Sequence, residues 1–209
     1  MEIEKNSLPI EIATYIMKKI LSGELQQGTR LIEADFAQQF NVSSIPVREA
    51  FYILQSSGLI EKIPRKGVRV KQNTDKEIND YITALMDLFR IALKYSKDKW
   101  TDESFKVLKT YLDETTESLN QKDVVEYLAK LTILLSYLFK IADNNAFTRF
   151  FYEVSNVTTA YCQSIWKDFD KVEDWHRKYV VNAINSIIKR DFVNAEKYLE
   201  LVNRNASNI

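Results

Sequence analysis

Arg48 stands among residues that together could read a nucleic acid. Ser43 and Ser44 precede it, Tyr52 follows one helical turn later, and a basic run comes next: Lys62, Arg65, Lys66, Arg69 and Lys71, with no acid between the first and the last. A guanidinium presents a planar fork of N–H donors that matches O6 and N7 of guanine in the major groove. Serine hydroxyls and the N–H groups of a helix N-terminus suit backbone phosphates, as do lysines on a nearby loop. Chemistry of this kind needs the arginine on an outward helical face and the cations on a second element beside it.

The stretch SSIPVREAFYILQSSGLIEK (43–62) supplies such a face. Val47, Ala50, Phe51 and Leu54 follow the i, i+3, i+4, i+7 spacing of a buried helical stripe. Ser44, Arg48, Tyr52 and Gln55 fall opposite. Ser43 is expected as the N-cap, its hydroxyl accepting a backbone N–H from the first turn. Pro46 then lies where a missing N–H breaks no intrahelical bond. Before this helix, EADFAQQF (33–40) reads as a two-turn helix burying Phe36, Ala37 and Phe40 and ending at Asn41, which tolerates the left-handed conformation. Earlier still, Pro9 suits a helix start, Ile12, Ile16 and Ile20 recur on one face, and Gly23 stops the helix. After it, LIEKI and VRVK alternate around PRKG, the pattern of a two-stranded hairpin with Arg65, Lys66 and Gly67 at its tip. Helix, helix–turn–helix, hairpin is the order of a winged helix-turn-helix.

All four glycines and all three prolines lie at or before Gly67. A long remainder without either residue is expected to be helical throughout. The boundary falls near Gln72–Asp75, which divides the chain into residues 1–73, a winged helix-turn-helix, and 74–209, an all-α bundle. The fold class is therefore mainly α. Five or six helices fit the second part, roughly 75–98, 102–121, 123–142, 145–167, 172–189 and 191–205. Phe150, Phe151, Trp166 and Tyr179 are expected as core. Lys+Arg and Asp+Glu both number 29, so any attraction to DNA comes from a local patch and not from net charge. The lone cysteine, Cys162, offers no disulfide or metal pair and is expected as a core thiol. The run LTILLSYLF (131–139) is about half a membrane span. The first residues, MEIEKNSLPI, lack the basic-then-apolar layout of a secretory leader. No membrane association and a cytoplasmic location are expected.

The segment 9–71 resembles the DNA-binding domain of GntR-type transcriptional regulators. The residues that carry the likeness are GELQQGTRL (23–31), EADFAQQFNVS (33–43), PVREAF (46–51), GLIEK (58–62) and RKGVRV (65–70). The helical remainder is similar to the FadR/FCD subgroup, through Arg90, ADNN (142–145) and RDFVNAEKYL (190–199). The resemblance implies DNA roles for Arg48, Lys66 and Gly67. Three departures bear on it: Ala34 and Ser44 stand where the family commonly has arginine, and Ile45 where it often has threonine. With the basic wing, Ser43, Ser44, Arg48, Tyr52, Arg65, Lys66, Gly67 and Arg69 form the candidate DNA-contact set. The implied function is a homodimeric repressor of a pseudo-palindromic double-stranded operator.

Many members of that subgroup hold a divalent metal in the helical domain with one aspartate and three histidines. The resemblance places Leu131, Leu135, Val180 and Val202 at those positions, and the chain has one histidine, His176. No metal and no cofactor are expected. Two outcomes stand open for a small-molecule effector: a bundle packed solid, left to dimerise, or a more apolar ligand with Arg90, and His176 beside Val180, as its polar candidates. No pairing of nucleophile and base and no phosphate loop appears, so an enzyme is not expected. The competing class is a helical protein–protein adaptor without DNA function; Arg48 and the basic wing argue against it.

Overall fold

The computed structural model describes residues 8–206; residues 1–7 of the stretch read above for a leader lie outside that range. It divides between Thr74 and Asp75 into two compact units, each with its own core.

In the first unit, α1 (Leu8–Leu21) turns Ile12, Ala13, Ile16 and Ile20 inward, and this stripe packs on α3 (Ser44–Ser56). Val47, Ala50, Phe51 and Leu54 complete the contact from the α3 side. Between them runs α2 (Glu33–Phe40), whose Phe36 meets Phe51 edge-on with ring centroids 5.9 Å apart. Asn41 ends α2 at φ 53°, and Val42 N–H donates to the Ala37 carbonyl at 2.9 Å, closing a Schellman motif. Phe40 is half-buried, not fully buried as expected. It sits in the last turn, where its ring meets Tyr15 edge-on at 5.0 Å and Phe36 at 6.5 Å.

The expected hairpin gains a third strand. β1 (Arg30–Leu31) pairs antiparallel with β3 (Gly67–Val70), which pairs antiparallel with β2 (Ile60–Ile63), in the order β1-β3-β2. Two residues are too short for alternation to announce a strand. Gly28 makes this possible: at φ +83° its N–H donates to Val70, and a Cβ there would lie 2.8 Å from the Gln72 amide. At the wing tip Lys66 N–H donates to Ile63 carbonyl at 3.0 Å. Pro64 presets the first central position of this turn, and Arg65 takes the left-handed second one at φ 63°.

The second unit is helical: α4 (Asp75–Ser96), α5 (Asp102–Ser118), α6 (Val124–Ala142), α7 (Asn145–Ile165), α8 (Phe169–Trp175), α9 (Val181–Ile188) and α10 (Phe192–Asn205). Thr101 and Ser104 form a reciprocal capping box at the start of α5, and Asp143 and Asn144 end α6 and begin α7. The core is aromatic at its centre, where Phe139 stacks on Phe151 at 4.6 Å and both meet Phe89. Phe150, expected as core, is 48% exposed, since one residue step turns a helix by about 100°. The helix expected over 172–189 begins earlier, at Phe169, and is broken by a wider π-type turn at His176–Val180. Among the described residues no helix is long and apolar enough to cross a membrane.

Candidate nucleic-acid interface

On α3 the outward face carries Ser44, Arg48, Tyr52 and Gln55, all exposed, with Ile45 beside them. Ser43 occupies the N-cap with extended backbone, φ −71° and ψ 165°, yet its hydroxyl makes no capping bond. The reason lies in the sequence. The third helical position, whose N–H a capping serine commonly takes, is Pro46, which has none.

Arg48 does not project alone. Its Nε donates to Glu33 Oε2 at 3.1 Å and its Nη2 to the same oxygen at 2.9 Å, so a carboxylate from the first turn of α2 lies along one edge of the guanidinium. That hydrogen bond, with the charge of Glu33, raises the Arg48 pKa. Both groups are solvent-accessible, so the pair orients more than it stabilises.

The wing places Arg65 and Lys66 at an exposed tip. Arg69 lies farther back on β3, where Glu61, its cross-strand partner on β2, accepts from its Nε at 2.8 Å. The run from Lys62 to Lys71 holds no acid in sequence, but strand pairing brings one from just outside it. On the other side Arg30 faces Arg69 across the ladder and reaches within 3.8 Å of where a Gly67 side chain would begin. Two like charges directly opposite are unfavourable in a sheet, and Glu61 offsets them. The wing thus gathers Arg30, Arg65, Lys66 and Arg69 around Gly67. Sequence reasoning missed Arg30 and Glu33. Arg30 could have been found from TRL alone had it been read as a strand; Glu33 carried no local signal.

In the helical unit the two effector candidates stand apart from the cavity. Arg90 is exposed on α4 and engaged by three carboxylates, Asp87 at 2.7 Å, Glu196 at 3.0 Å and Glu200 at 3.3 Å. The bonds to Asp87 and Glu196 raise its pKa. Two of these carboxylates, Glu196 and Glu200, come from α10. His176 is fully buried, its Nε2 2.9 Å from Thr116 Oγ1 and its Nδ1 3.0 Å from Tyr127 Oη. Thr116 already donates its proton to the Leu112 carbonyl, so Nε2–H donates to Thr116 and Tyr127 donates to a bare Nδ1. The neutral imidazole satisfies every bond. Burial, with Arg177 nearby, pushes its pKa down to about 4.

This gives a pH signature. The unfolded imidazole takes a proton near its ordinary 6.5, whereas the folded one resists until about 4. Between those values the unfolded state holds more protons, so stability falls as pH falls. The loss should reach ~2 kcal/mol by about pH 5. Chemical denaturation at neutral pH and at about pH 5 measures it. A His176→Asn protein should show a correspondingly flatter dependence; equal slopes would contradict the assignment.

A partly open cavity of about 60 Å³ lies elsewhere in the bundle, lined by Leu85, Leu131, Leu135, Trp166 and Val202 among others, with no charged side chain. Val180 is buried away from it. Cys162 also faces it, and burial pushes that thiol up to about 12, which keeps it protonated. The four positions that the resemblance assigns to metal ligands therefore present only hydrocarbon, which does not fit an ion. Among the described residues no three His, Cys, Asp or Glu side chains converge.

A helix–turn–helix with an outward arginine and a basic three-stranded wing, ahead of an all-helical unit, defines a winged-helix transcriptional regulator. Residues 10–70 match the family described as bacterial regulatory proteins, gntR family, so the first unit is a winged helix-turn-helix of the GntR kind. The gluconate operon transcriptional repressor of Bacillus licheniformis is 24% identical over 203 residues, covering 95% of this chain and 74% of that protein. The HTH-type transcriptional regulator YdhC of Bacillus subtilis is 26% identical over 111 residues, 53% of this chain; the match spans 50% of its length, so about half of that relative has a counterpart here. In fold, the chain is similar to Escherichia coli McbR/YncC, with a TM-score of 0.81, 15% identity and coverage of 95% and 94% of the two chains.

Proposed function

We propose that the protein is a cytoplasmic repressor that binds a pseudo-palindromic operator as a homodimer. Residues 1–73 read the DNA, with α3 in the major groove and the wing tip on the phosphates. Ser43, Ser44, Tyr52, Lys66 and Gly67 position the helix on the duplex, Arg48 contacts a base, and Arg65 and Arg69 add cationic contacts. Residues 74–209 dimerise. The observation that carries this reading is the outward Arg48 fork on the second helix of the motif. Repression is supported by the gluconate operon repressors of two Bacillus species among the relatives. Dimerisation follows from information content: one winged helix spans too few base pairs for genomic specificity, and two-fold symmetry doubles the contacts.

Any effector of the helical unit binds at the cavity and not at Arg90 or His176, whose polar atoms are already engaged. Light scattering of the protein alone and on a selected duplex tests the assembly. A dimer in both is expected; a monomer in both would contradict the proposal. Replacing Lys66 with alanine should weaken all duplexes alike and lower the salt slope of binding by about 1, as loss of one phosphate contact requires. A sequence-dependent effect, measured by titration at several salt concentrations, would move Lys66 from the phosphates to a base.

A further inference from the structure

We propose that Glu33 is the positioning residue for base readout: it holds one edge of Arg48 so that the other edge faces guanine, and its charge suppresses binding to DNA of any sequence. The inference rests on the reading of Arg48 as a base contact.

The geometry divides the guanidinium. Glu33 takes Nε–H and one proton of Nη2, with distances of 3.1 and 2.9 Å to the same carboxylate oxygen. The remaining edge, formed by Nη1 and the outer proton of Nη2, is the end-on fork that pairs with O6 and N7 of guanine. An arginine at 55% exposure would otherwise sample many rotamers and lose that freedom on docking. Here the restraint exists before DNA arrives. Glu33 is well placed to supply it. It opens α2, where the helix dipole favours an acid, and it reaches Arg48 across the turn of the motif.

The second consequence concerns charge. Non-specific affinity scales with the cations offered to phosphates. A carboxylate on the recognition arginine subtracts from that attraction on every sequence, while the cognate site regains the loss through the aligned fork. Removing the carboxylate should therefore move two quantities in opposite directions: binding to random DNA tightens, and discrimination between cognate and altered sites falls. A residue that merely supports the fold would weaken both together. Asp35 provides the control. It lies in the same first turn of α2, but the bonds of Arg48 go to Glu33.

The test uses the full chain, the duplex that it selects from a randomised library, single-base-pair variants of that duplex, and poly(dI-dC) as random competitor. Glu33→Gln should lower discrimination at the G·C pair read by Arg48 by ~3–10-fold, while binding poly(dI-dC) more tightly and with a steeper salt dependence. Asp35→Asn should tighten random binding without touching discrimination. Glu33→Asp, which keeps the charge on a shorter arm, should fall between wild type and Glu33→Gln; thermal melting confirms that each variant is folded. Unchanged discrimination in Glu33→Gln, beside a loss in Arg48→Ala, would overturn the role of Glu33 alone. So would a parallel fall in cognate and random binding, or an equal loss of discrimination in Asp35→Asn. If Arg48→Ala itself keeps full discrimination, the base-contact reading fails, and the inference with it.

Discussion

Replacing Arg48 with alanine should cost about 1–3 kcal/mol on the cognate duplex and relax discrimination at one base pair in each half-site. The side chain lies on the outer face of α3, four residues from Ser44 and from Tyr52, with its fork already oriented by Glu33. Lysine should be a poor substitute, because an ammonium is a point charge without the planar pair of donors that guanine requires. The loss should be confined to the cognate sequence, so random duplexes should bind nearly as before apart from one unit of charge. Competition titrations against single-base-pair variants measure this. Equal losses at every position would make Arg48 a phosphate contact.

A larger effect is expected from Phe51→Ala. Phe51 is 3% exposed, meets Phe36 edge-on at 5.9 Å and shares the interior with Val47, Ala50 and Leu54. Truncating such a ring costs about 3–5 kcal/mol through lost burial and the cavity left behind. A unit of this size sits near the low end of the about 5–15 kcal/mol stability range, so most of its margin would go. The winged helix should then melt well before the helical unit, whose core is its own. Cognate and random binding should fail together, unlike in Arg48→Ala. Calorimetry should show an early transition split from the main one; a single unshifted transition would contradict the separate cores.

Periodicity carried far in this chain. The bounds of α2, the inward stripe of α3 and the breaks at Thr101 and Asp143–Asn144 all follow from spacing, caps and turn residues within a few positions of each other. What spacing could not reveal depends on residues distant in sequence. β1 exists because β3 offers a free edge to a two-residue segment. Glu33 reaches Arg48, and Glu61 reaches Arg69, only once the motif and the sheet have formed. Arg90 meets Glu196 and Glu200 only once α10 packs beside α4. The π-type turn at His176 has no marker in composition; it accompanies a buried imidazole held between Thr116 and Tyr127. The candidate DNA-contact set was legible as residue types on a face, and the carboxylates beside it were not.

The central claim, that this chain reads a specific duplex through α3 as a two-fold dimer, is tested most directly by selecting duplexes from a randomised library with the wild-type protein and sequencing them. The expected result is an inverted repeat with a G·C pair at the matching position of each half, replaced by a degenerate position when Arg48→Ala is used for the selection. A library that returns no enriched repeat, or the same repeat undiminished with Arg48→Ala, would contradict it.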